Sequence, residues 1–71
     1  MTKSKNEVYG KRLKEKRLAS GKTQAEVAKE LEVAESHYQR YEYGMMPSAS
    51  LAGKIAKSIK ATVEEIWGVK G

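Results

Sequence analysis

The chain has 71 residues, with 14 Lys or Arg against 9 Asp or Glu, a formal charge of +5 and a pI near 9.6. That length holds one domain, which typically buries only about 60% of the surface its unfolded form exposes, so most enzymes are excluded and packing must be efficient. With no Cys and one His, a disulfide framework, a Cys/His zinc cluster and a thiol nucleophile are excluded too.

Residues 1–6 are polar and basic, with nothing to bury, and are expected to form a flexible arm ahead of a single domain over 7–71. Tyr9, Leu13 and Arg17 recur every fourth residue and predict a first helix from about Glu7 to Ser20, stopped by Gly21. Thr23-Gln-Ala-Glu26 has the pattern of a capping box, and Val27, Ala28 and Leu31 then give a short second helix its apolar stripe. Val33 falls in a turn, after which a third helix from about Ala34 to Glu42 turns Tyr38 and Tyr41 inward and carries weak caps. Pro47-Ser48 marks a loop; Leu51, Ala52, Ile55, Ala56 and Ile59 predict one face of a fourth helix. Thr62-Val-Glu-Glu65 is a second capping box, opening a short fifth helix that buries Val63 and Ile66, with Trp67 a further candidate for burial. Lys54, Lys57 and Lys60 fit either a solvated face of the fourth helix or a phosphate contact.

Charge is distributed unevenly. Residues 1–22 carry eight basic side chains against two acidic ones, a net +6, whereas residues 23–44 net −3. A basic end attracts polyanions, nucleic acid first and an acidic membrane face second. The longest stretch free of charge, 43–53, is far short of the roughly 20 apolar residues that cross a bilayer, and the first residues lack a signal-peptide core. A cytoplasmic protein is expected, with no membrane association. No nucleophile with a base, metal-ligand set or phosphate loop is present, so no enzyme, cofactor, metal or small-molecule substrate is expected.

Residues 23–44 have the spacing of a helix-turn-helix: Ala28 is small where two helices cross, Val33 plugs the turn, and Tyr38 and Tyr41 anchor the second helix. Arg17, Gly21-x-Thr23-Gln24-x-Glu26-Val27-Ala28, Val33, Tyr41-Glu42-x-Gly44, Pro47-Ser48, Ile55-Ala56 and Val63-x-Glu65-Ile66 complete a pattern over about residues 9–67. With these motifs at these intervals, the sequence resembles the phage-repressor and Cro-like helix-turn-helix proteins, the XRE family. The resemblance implies an all-α, compact five-helix, lambda-repressor-like domain that binds operator double-stranded DNA as a homodimer. It places the third helix in the major groove. Phage or mobile-element control, restriction-modification control and antitoxin autoregulation all fit such a small transcriptional regulator.

On this footing Arg40, Ser36 and Glu35 are the candidate base readers: Arg40 can fork onto guanine, Glu35 can accept from cytosine N4, and Ser36 can serve either partner. Gln24 and Thr23, at the start of the second helix, and His37 and Gln39 are candidates for phosphate contact or for bracing the third helix. The resemblance further implies that Arg17 and Glu42 form a structural ion pair and that the dimer surface lies near Ala61 and Trp67.

Five departures from the family pattern bear on function. Glu32 and Lys60 stand where helix-terminating Gly is usual, so those ends are either rebuilt or held at a cost of order 1 kcal/mol. Ala34 replaces a capping Ser or Thr. Lys22 replaces an apolar residue, and its stem is expected to cover the same surface while its ammonium reaches solvent. The loop after the third helix holds only Met45-Met46 between Gly44 and Pro47, with no basic clamp. With Glu35 and Tyr43, these methionines define a candidate protein-partner surface, and hence an alternative: a protein-interaction module, antirepressor or modulator, that binds another regulator protein.

Overall fold

The computed structural model describes residues 5–68 and contains α1 (Lys5–Ser20), α2 (Gln24–Leu31), α3 (Glu35–Glu42), α4 (Ala49–Ser58) and α5 (Val63–Trp67). Among the described residues there is no strand, and no helix is long and apolar enough to cross a membrane. α1 begins at Lys5, two residues before its expected start; residues 1–4, the rest of the expected arm, lie outside the described residues.

Local chemistry sets most of the helix boundaries. α1 ends at Gly21 with φ +80°. α2 opens with both halves of a capping box, the Glu26 N–H donating to Thr23 Oγ1 at 3.1 Å and the Thr23 N–H to Glu26 Oε1 at 2.9 Å. Thr62 and Glu65 repeat the arrangement at α5, with the same two distances. At α4, Ser48 Oγ accepts from the Leu51 N–H, a cap that the sequence reading had placed in the loop. Ala34 offers α3 no side-chain cap, as its sequence implies.

The ends of α2 and α4 are not rebuilt: Glu32 (φ +60°) and Lys60 (φ +56°) both adopt the left-handed conformation. Each is followed by a residue that closes the helix from outside, Val33 donating to the Ala28 carbonyl at 3.0 Å and Ala61 to the Ala56 carbonyl at 2.9 Å. Val33 and Ala61 also pack against the core. The bond and the apolar contact together are the Schellman arrangement, and they hold a non-glycine residue where glycine is favoured.

The buried side chains come from all five helices, with Leu13, Val27, Tyr38, Ile55, Ile66 and Trp67 the largest that are fully enclosed. α1 packs on α3 and α5, and α2 lies between α3 and α4. Where α1 meets α3 there is no room for a side chain: a Cβ on Gly10 would stand 2.5 Å from the Glu42 carbonyl oxygen and 2.8 Å from the Gly44 nitrogen. Lys22 departs from expectation. Its half-buried side chain turns its ammonium onto the protein, where it donates to the Ser58 carbonyl at the end of α4 and pairs with Glu30 at 2.8 Å. The carbonyls at a helix C-terminus leave a partial negative charge that attracts a nearby cation, so Lys22 ties α2 to α4. Ser58 completes the link by donating to Glu30 Oε1 at 2.8 Å. Trp67, the further candidate for burial in α5, is 2% exposed. It is a core side chain, because the single turn of α5 lies against α1; Ala61 is half-buried.

Candidate nucleic-acid interface

α3 is an eight-residue helix with two unlike faces. Tyr38 and Tyr41 are buried against the core, while Glu35, Ser36, His37 and Arg40 are exposed and Gln39 is half-buried. Glu35, Ser36, Gln39 and Arg40 fall at i, i+1, i+4 and i+5 and therefore share the outward face. Arg40 forms no ion pair among the described residues, so its guanidinium carries an uncompensated charge.

A chain of polar contacts behind that face fixes the helix. Arg17 donates from Nε to Glu42 Oε2 at 2.5 Å and from Nη2 to Glu42 Oε1 at 3.3 Å, and from Nη1 to the Lys22 carbonyl at 3.0 Å. Gln24 Nε2 donates to Glu42 Oε1 at 3.0 Å, and Gln39 Nε2 to Gln24 Oε1 at 3.1 Å. The expected Arg17–Glu42 pair is thus present, with only 8% and 3% of the two side chains exposed. It extends through Gln24 to the edge of the outward face. Gln24 and Gln39 stand in bracing positions, and the Thr23 hydroxyl caps α2.

The buried pair sets the ionisation of its neighbours. Burial pushes the Glu42 carboxyl up, but hydrogen bonds led by Arg17 outweigh it and hold the group below its ordinary 4.5. Arg17 is raised in turn by its bond to Glu42, against the opposing effect of burial. The Tyr38 hydroxyl is enclosed beside this pair without a hydrogen-bond partner, and burial, then the Glu42 carboxylate, pushes its ionisation well above the usual tyrosine range. His37, exposed on α3, shares a 2.9 Å hydrogen bond with the Tyr41 hydroxyl and meets that ring edge-on at 5.4 Å. The buried tyrosine therefore fixes where the imidazole stands.

At the far end of α3 the chain turns back on itself, Gly44 taking φ +118° and the Met45 N–H donating to the Arg40 carbonyl at 3.0 Å. Tyr43, Met45 and Met46 are left 79%, 39% and 44% exposed. Beside this end of α3 opens a cleft of about 530 Å³ lined by Glu7, Lys11 and Lys14 of α1, by Gln24, and by Glu42 and Tyr43. The sequence reading treated the α1 lysines only as bulk charge. Their i, i+3 spacing, on the flank of α1 next to Gly10, was the signal available. Among the described residues no group of His, Asp and Glu could hold a metal ion.

A helix-turn-helix family model matches residues 13–66, and no curated protein or solved structure matches the chain. The match contains all of α2, α3 and α4, the polar brace and the outward face of α3.

Proposed function

Because the chain belongs to the XRE-type helix-turn-helix family of DNA-binding regulators, we propose that it binds an operator in double-stranded DNA as a two-fold dimer, with the outward face of α3 in the major groove. The observation that carries this reading is the division of α3: Arg40, Ser36 and Glu35 stand exposed, while the Gln39–Gln24–Glu42–Arg17 chain locks the helix behind them. Base readout needs side chains presented from a helix whose position is already fixed. Arg40, unpaired, is assigned to guanine; Ser36 and Glu35 read neighbouring positions. His37 lies close enough on the same helix to serve a phosphate. Arg40→Ala tests the assignment: specific affinity should fall by about 1–3 kcal/mol and preference relax at one base position, and unchanged affinity would refute it.

One observation favours a second reading. Tyr43, Met45 and Met46 form an exposed apolar group beside a segment, 23–44, of net charge −3. Such a surface suits a basic regulator protein gripped by the same scaffold, competing with its operator. In that case Met46→Asp would abolish the protein complex; a complex that survived it would remove this surface from consideration.

A further inference from the structure

We propose that the cleft between α1 and the end of α3 is a phosphate-binding wall for the DNA backbone, with Lys11 and Lys14 as its cations and Tyr43 as a neutral hydrogen-bond donor. This rests on the duplex-binding reading above. Electrostatics and geometry support it together. The α2–α3 segment nets −3, and the loop from Gly44 to Pro47 carries no basic residue, so the reading helix has little positive charge of its own. A helix seated in a major groove about 12 Å wide has a sugar-phosphate strand on either side. The cleft lies beside the C-terminal end of α3, its walls formed by Lys11 and Lys14 on one side and by Glu42 and Tyr43 on the other. Neither lysine forms an ion pair among the described residues, and both are exposed.

Two carboxylates share the cleft. Glu42 is already matched by Arg17. Glu7 stands four residues before Lys11, the spacing of a helical Glu–Lys pair, and offsets part of its charge, whereas Lys14 lies two turns away. Tyr43 is the most exposed large hydrophobic residue of the described chain, and it is also the rim of the cleft facing α1. An exposed tyrosine at this position offers a phenolic O–H to a phosphate oxygen without adding charge.

The test compares the salt dependence of duplex binding for the parent chain, a Lys11→Gln/Lys14→Gln double variant and a charge-matched Arg12→Gln/Lys29→Gln control, whose exposed side chains lie outside the cleft. Thermal melting of each variant verifies the fold. Each phosphate neutralised adds roughly 0.9 to the slope of log affinity against log salt. In a two-fold dimer the double variant removes four contacts and should therefore lose about 3.6 from the slope, equivalent to about a hundredfold less loss of affinity between about 50 and 200 mM salt. Its preferred base sequence should be unchanged. An unchanged slope overturns the proposal, as does an equal change in the Arg12/Lys29 control, which would mean that only total charge matters. If the parent itself shows no salt-dependent duplex binding, the duplex-binding reading fails, and this proposal fails with it.

Discussion

Arg17 and Glu42 are separated by 25 residues, yet their contact ties α1 to the end of α3. A pair so enclosed adds little net stability, since both charges leave water to form it, but removing one partner strands the other at a cost of about 3–5 kcal/mol. The pair also makes stability depend on pH. The carboxyl of Glu42 is held below its ordinary 4.5 in the fold, so its contribution is complete above that value and is lost as pH falls through the folded value. Glu26, Glu30 and Glu65 act with the same sign from exposed positions, each lowered mainly by the partner that it binds: the Thr23 N–H, Lys22 and Lys16. Melting temperature measured from about pH 7 down to about pH 2 should therefore fall on the acid side. Glu42→Gln should lower it at neutral pH and flatten the acid limb; a parallel curve would show that Glu42 does not titrate as described. Glu32 is a second residue-level case. Its left-handed backbone costs an L-residue about 1 kcal/mol, so Glu32→Gly should raise stability by about 0.5–1 kcal/mol in denaturant unfolding, and a loss would mean that the Schellman contact had already absorbed the strain.

At the scale of the elements, α1 and α4 each contain a glycine with opposite surroundings. Gly10 is pressed against the backbone of Glu42 and Gly44, whereas nothing lies within 4 Å of a Cβ built on Gly53. Gly53→Ala should stabilise by about 0.5–1 kcal/mol through helix propensity alone. Gly10→Ala should instead destabilise, by about 1–3 kcal/mol, because the clash is with backbone that cannot rotate away. Paired thermal melts check both, and an equal shift for the two would show that α1 does not approach α3 this closely. The same contrast explains what was legible in the sequence. Capping boxes at Thr23–Glu26 and Thr62–Glu65 are local, three residues apart, and were readable directly. The tight approach at Gly10 and the turn of Lys22 onto the end of α4 depend on where distant helices pack, which no short pattern encodes. The Arg17–Glu42 pair is equally distant and was found only through resemblance. On α3, the period that turned Tyr38 and Tyr41 inward also exposed Arg40 and Ser36, so the candidate base readers were legible. The cleft at Lys11 and Lys14 was not, because α1 and α3 had to be brought together first.

For the whole molecule, the proposed division of labour follows the charge asymmetry. The +6 of residues 1–22 supplies long-range attraction to a polyanion, and the −3 of residues 23–44 keeps the reading helix from holding every sequence alike. Specificity then depends on a few exposed side chains on a braced helix, and affinity on α1. The central claim is that this is an operator-binding regulator. Its most direct test is to titrate the purified protein onto a randomised duplex library at two salt concentrations and sequence the retained DNA. The account predicts a near-palindromic motif with half-sites about one helical turn apart, and retention that falls steeply as salt rises. Weak retention with no enriched motif would contradict it and leave the Tyr43–Met45–Met46 surface as the functional face.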